Sequence, residues 1–247
     1  MVPDSLVLVR DALARPDRFF RERRVGTSLA AGFVIALVVA VGMTAGLAGV
    51  GWLFTGSIDA TETVDNPNQP PEWVCDQHAD DPNSAFGNAC EEEPDEIEID
   101  VGEVVWEEFV GFLPWVFVGS LLVWPVAGAV LFLVGRLAGG DGDFGDTVAM
   151  AAWGMLPELF AVAVALVDVY VALRGTTFTG SPESIVADLE ATTDGATWRA
   201  TLGSLFVAAW QAYVWTYGLK HVHGIPIARA GLAAGAVALL WLLIGLA

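Results

Sequence analysis

Residues 27–54 read TSLAAGFVIALVVAVGMTAGLAGVGWLF, a run without one charged side chain. An α-helix rises about 1.5 Å per residue, so about 20 apolar residues cross the roughly 30 Å of bilayer hydrocarbon. This run is longer than that. The 247-residue chain around it is 55% hydrophobic with a mean hydropathy of +0.57, where a soluble domain is about 45–50% apolar. The fold class expected is therefore all-α: a polytopic membrane protein, a bundle of about five transmembrane helices.

Outward from that first span, four more runs qualify: residues 109–135 with Pro114 and Pro125, 147–173, 200–219 and 226–247. Between them lie an outer loop (55–108), an inner turn (136–146), a second outer loop (174–199) and an inner hinge (220–225). Residues 1–26 form a basic segment with Arg10, Arg15, Arg18, Arg21, Arg23 and Arg24. Pro3-Asp4-Ser5 starts a helix there, with Leu6, Val9 and Leu13 on one face, and Pro16 breaks it. Phe19 and Phe20 beside arginines predict an amphipathic stretch on the inner leaflet. The basic region is too long, and the following run too extended, for a cleaved signal peptide.

Orientation follows from the cations. A cytoplasmic N-terminus puts those six arginines inside, with Arg136, Lys220 and Arg229, and leaves Arg174 and Arg199 outside. This is the positive-inside bias, and it places the C-terminus outside the cell membrane.

The chain carries 30 acidic residues against 11 basic ones, and Lys220 is its one lysine. Hydrated carboxylates in such excess point to solubility in molar salt, as in a halophile, and exclude the basic footprint of a nucleic-acid partner. Seventeen of the acids fall in residues 56–108, which include EEEPDEIEID (91–100) and both cysteines. A Cys75–Cys90 disulfide would close a 16-residue loop and contribute about 3 kcal/mol of local order. Zinc held with His78 is the alternative.

Hydrolase and phosphate-binding motifs are missing: there is no Gly-x-Ser-x-Gly, no His-Glu-x-x-His and no Walker or Rossmann glycine loop. Gly140-Asp141-Gly142-Asp143 matches the Gly-x-Gly-Asp signature of intramembrane aspartyl proteases. Those enzymes need a second aspartate on another span, and spans one, two, four and five contain none. The stretch reads better as a solvated turn, with Asp146-Thr147 capping the third span. His221 and His223 read as surface residues at the inner mouth of span four. Gly42-x-x-x-Gly46 and Gly231-x-x-x-Gly235 allow close helix approach, inside the bundle or between copies in a homo-oligomer. Tryptophans 52, 106, 115, 153, 198 and 241 read mostly as interfacial belts.

Within WGMLPELFAVAVALVDVY (153–170), Glu158 stands about 16 Å along span three. Gln211 falls at a comparable depth on span four, and Pro157 frees the carbonyl of Trp153. A neutral carboxyl donating to Gln211 or to the backbone would be a structural latch; a proton-coupling site is the other reading. Asp168 lies nearer the outer interface, within reach of water or Arg174.

The segments RPDRFFRERR (15–24), GGDGDFGDTVAMAAWGMLP (139–157) and WQAYVWTYGLKHVHGIPIARA (210–230) resemble the Yip family of Rab/Ypt-interacting polytopic membrane proteins, in its prokaryotic form. The likeness lies in the amphipathic start, the glycine-rich turn before a Phe-x-x-Thr helix with its proline, and the Gly-Leu-x-x-x-His-Gly hinge. It implies a non-enzymatic membrane adaptor, linked in eukaryotic members to vesicle traffic and small GTPases. The chain lacks those members' Asp-Leu-Tyr-Gly-Pro motif, and its acidic outer loop looks like an insertion.

The expectation is a membrane scaffold without catalytic residues, cofactor or metal. It meets membrane or cytoplasmic proteins through Phe19, Phe20, Arg21, Arg136, Lys220 and His223. A small transporter using Glu158 is the alternative.

Overall fold

The computed structural model describes residues 4–22, 24–78, 90, 94, 96–193 and 197–246. Arg23 and the side chain of His78 lie outside the described residues. Helices α1 (Asp4–Ala14) and α2 (Pro16–Glu22) come first, then a 3-10 turn, Arg24–Thr27. Pro16 ends one helix and also opens the next, at a first-turn position where its missing N–H breaks no bond.

Helix α3 (Leu29–Thr55) is capped by Ser28, whose side chain accepts from the amide of Ala31. Strand β1 (Thr61–Asp65), helix α4 (Glu72–His78) and strand β2 (Glu96–Asp100) lead into α5 (Val101–Leu137). The third apolar run is two helices, α6 (Phe144–Trp153) and α7 (Pro157–Leu173). After them come α8 (Pro182–Thr193), α9 (Thr197–Val222) and α10 (Ile227–Leu246). Among the described residues three stretches are long and apolar enough to cross a membrane: α3, α5 and the run α6–α7. Large apolar side chains along them face outward, among them Phe33, Leu122, Leu133 and Val167, as lipid-facing helices require.

At one end of the bundle helix α2, the 138–143 turn and the 223–226 hinge gather; we call it the basic end. At the opposite, acidic end lies the long outer loop. β1 and β2 pair antiparallel, with Thr61 opposite Asp100. The segment expected as a loop thus holds two strands: EIEID alternates polar and apolar side chains, and TETVD is rich in β-branched ones. Cys75 and Cys90 form a disulfide, so neither sulfur is a free thiolate for zinc. Ile58, Ala60, Leu173, Phe178 and Ile185 make a small second core beneath this sheet.

The main core surrounds α6, where every residue from Thr147 to Trp153 is buried. Two glycines bring neighbouring backbones onto it. A Cβ on Gly32 of α3 would lie 2.8 Å from Cα of Ala149, and one on Gly128 of α5 would lie 2.8 Å from Cα of Val148. Gly42 and Gly46 receive Leu159 and Val162 of α7, so this glycine pair serves internal packing. On α10, by contrast, a Cβ at Gly231 meets nothing closer than 3.8 Å, and at Gly235 nothing within 4 Å.

Candidate functional site

Two polar centres occupy the bundle. The deeper one forms where the third run breaks. Pro157 cannot donate to the residue four before it, and residues 154–156 tighten into i to i−3 bonds, Gly154 to Ala151 and Met155 to Ala152. The indole of Trp215 on α9 donates to the carbonyl of Ala151 at 3.0 Å, and sits where a side chain at residue 154 would have to go. Glycine is thus required at 154 by a close approach.

One turn on, Gln211 Nε2 of α9 donates to Glu158 Oε1 of α7 at 2.7 Å. Gln211 is buried. Glu158 and Gln211 border a cavity of about 150 Å³ with Ser204 and Trp241, and a second of about 260 Å³ with Met155, Trp215 and Trp241. Among the described residues no acceptor reaches Nε1 of Trp241, which is buried.

The second centre ties the basic end together. His223, at the end of α9, is 1% exposed. Its Nε2 lies 2.9 Å from the hydroxyl of Thr147. That hydroxyl donates to the carbonyl of Asp143 at 2.7 Å, so it accepts from His223 and fixes the Nε2–H tautomer. Gly135, Gly140 and Gly142 leave the space the imidazole fills: a Cβ on any of them would come within 3 Å of His223. The amide of Asp141 donates to the carbonyl of His223 at 3.3 Å, and Gly224 follows with φ of +67°, a left-handed turn that favours glycine. Burial pushes the His223 pKa down from 6.5 and nearby Arg136 adds to this, while Asp141 opposes it.

The N-terminal helices close over the same end. Asp17 Oδ1 of α2 accepts from Lys220 Nζ at 2.6 Å and from His221 Nε2 at 3.0 Å. These two bonds hold the Asp17 carboxyl at a pKa of about 2. Phe19 is fully buried, with its ring centroid 4.7 Å from that of Trp153, and the indole of Trp210 donates to the carbonyl of Leu13 at 3.1 Å.

Several sequence expectations change. Phe19, Phe20 and His223 are not outward surface: all three are buried inside the chain, the phenylalanines because the apolar face of α2 turns onto α6 and α9, the histidine because Gly135, Gly140 and Gly142 make room for its ring. Arg21 and Arg136 do face out, Arg21 paired with Asp17 at 3.1 Å and Arg136 over the ring of Phe132. The cap of α6 is Asp143, not Asp146-Thr147, since its carboxylate accepts from Gly145 at 2.7 Å and Asp146 at 3.3 Å. Asp168 lies against Arg199, at 3.9 Å, rather than Arg174. Trp153 is buried core, not interfacial belt.

Three indole-to-carbonyl bonds went unread: Trp124 to Val148, Trp210 to Leu13 and Trp215 to Ala151. No spacing rule would have paired them, though Trp215 stands one turn from Gln211. Among the described residues no cluster of His, Cys, Asp and Glu could hold a metal ion.

No curated protein and no solved structure matches the chain. A family model does, described as the Yip1 domain, over residues 10–247. That span runs from α1 through the glycine-caged histidine to the end of α10, so the chain belongs to the Yip1 domain family of membrane proteins.

Proposed function

We propose that the protein is a non-enzymatic scaffold or adaptor of Yip type in the cell membrane, binding membrane or cytoplasmic proteins at its basic end. Five spans, a cytoplasmic N-terminus and an external C-terminus belong to this reading. α9 bonds α7 at Gln211 and Glu158, deep in a membrane-crossing run, which favours α9 and its packed neighbour α10 as the fourth and fifth spans. The nine-to-two distribution of cations favours the orientation.

The observation that carries the reading is the docking of α2. Its phenylalanines are buried, Asp17 is tied to Lys220 and His221, and Arg15, Arg18 and Arg21 are exposed, Arg18 paired with Glu22 and Arg21 with Asp17. A rigid cationic face on a chain with a net charge of −19 is suited to acidic partner segments. Family membership supports a role through interaction rather than catalysis. The test is crosslinking and affinity capture from native membranes, wild type against Arg18→Glu/Arg21→Glu. A stoichiometric partner lost in the variant supports the adaptor; only self-crosslinks in both would overturn it.

A second reading has one observation in its favour: Glu158 and Gln211 border cavities that reach Ser204 and Trp241. A small transporter coupling protons through Glu158 would use that space. Flux into proteoliposomes abolished by Glu158→Gln would establish it.

A further inference from the structure

Helices α7 and α9 touch at Glu158 and Gln211 and then part towards the acidic end. The gap between them is a cleft of about 510 Å³, walled by Phe160, Val164, Leu202 and Phe206. Its floor is continuous with the Glu158 cavity, since Ala161, Ser204 and Val207 line both. At its mouth stand Asp168 and Arg199, 3.9 Å apart.

A cleft with apolar walls inside a bilayer is filled by hydrocarbon or by another helix, because water along those walls finds no polar partner between the mouth and the floor. From Arg199 to Val207 it follows about 12 Å of α9, close to the roughly 15 Å hydrocarbon depth of one leaflet. The rim supplies charge complementarity. Arg199 is half exposed, and at 3.9 Å its contact with Asp168 is too long for a hydrogen bond, so its fork of N–H donors can address a phosphate. We infer that this cleft is a lipid site, taking one acyl chain of a phospholipid between α7 and α9 with the phosphate at Arg199. The reading rests on α9 being the fourth span, as proposed above, and not on a protein partner.

Gly203 lets the site be tested without disturbing the fold. It lines the cleft, and a Cβ added there meets nothing within 4 Å. The probe is dioleoylphosphatidylglycerol titrated onto the full chain in detergent and read by native mass spectrometry, with dioleoylglycerol as the phosphate-free control. The site predicts one tightly held phosphatidylglycerol on the wild type. Gly203→Leu, which fills the cleft, removes it. Arg199→Gln weakens it about tenfold, as does omission of the phosphate, the scale of one charge-assisted contact. Equal retention by Gly203→Leu and wild type would overturn the site, and equal binding of the two lipids would overturn the role of Arg199. Conversion of a dimer to a monomer by Gly203→Leu, with lipid binding unchanged, would mean that a second copy seats there instead.

Discussion

The hydroxyl of Thr147 accepts a hydrogen bond from Nε2 of His223, 2.9 Å away, and so joins the start of α6 to the turn before α10. The hydroxyl's own proton goes to Asp143, so Nε2 carries the shared proton; burial, Arg136 and the lack of any acceptor for Nδ1 among the described residues disfavour a second proton on the ring. The unfolded histidine takes up a proton near pH 6.5, whereas the folded one, its pKa lowered, does so only at lower pH. Unfolding therefore binds protons, and stability falls as pH drops below about 6.5. His223→Gln should flatten the melting temperature between pH 7 and 5 relative to wild type, which retains His221 as common background. His223→Ala should cost about 2 kcal/mol or more at pH 7.5, through an emptied site and the loss of the donor to the Thr147 oxygen. Parallel pH profiles for wild type and His223→Gln would refute the buried neutral imidazole.

This residue also shows where sequence reading stopped. Gly-Leu-x-x-x-His-Gly was visible as a hinge, and the apolar runs that form α3, α5 and α6–α7 were visible as helices long enough to cross a membrane, because both signals are local. That His223 is core depends on Gly135, Gly140 and Gly142, some eighty residues earlier, vacating its volume. The pairing of Glu158 with Gln211 was legible because helix rise alone puts them at one depth. The inward turn of Phe19 and Phe20 was not. Their pattern suits a lipid surface as well as it suits α6, and contacts distant in sequence decide between them, such as the bonds of Asp17 to Lys220 and His221 and of Leu13 to Trp210.

Glycines at the helix contacts divide into two classes with opposite expectations. Gly32→Ala and Gly128→Ala drive a methyl against the backbone of α6, which cannot rotate away, and should each cost about 1–3 kcal/mol. Gly235→Ala meets open space and should be neutral or stabilising by up to about 1 kcal/mol, since alanine is the better helix former. Thermal unfolding in one detergent ranks the three. A loss at Gly235 matching that at Gly32 would point instead to a contact between copies on that face of α10.

Docking of α2 should be sensitive to a single carboxylate. Asp17 titrates near 3.8 when free and at about 2 when held by Lys220 and His221. Its contribution is therefore present above about pH 4 and lost as pH falls towards 2. Asp17→Asn should raise hydrogen exchange across residues 16–22 at neutral pH, while α6 and α9 keep their protection. Unchanged exchange in α2 would assign its hold to Phe19 and Phe20 alone.

Between Glu158 and Gln211 the two readings of the deep centre make different demands. A latch requires energetic coupling. Gln211→Leu strands the carboxyl of Glu158 in the bundle and should cost about 1–3 kcal/mol, while Glu158→Gln keeps a partner for Gln211 and should cost less than about 1 kcal/mol. The double variant Glu158→Leu/Gln211→Leu removes both groups together. It should recover part of the summed loss, with a coupling of about 0.5–3 kcal/mol in a double-mutant cycle. Strict additivity would show that the bond holds nothing together. A deep carboxyl that contributes no stability is then one kept for its proton, because a charge-bearing group at that depth is costly unless it is structural or functional. Loss of function in a Glu158→Gln variant of unaltered stability would complete that case.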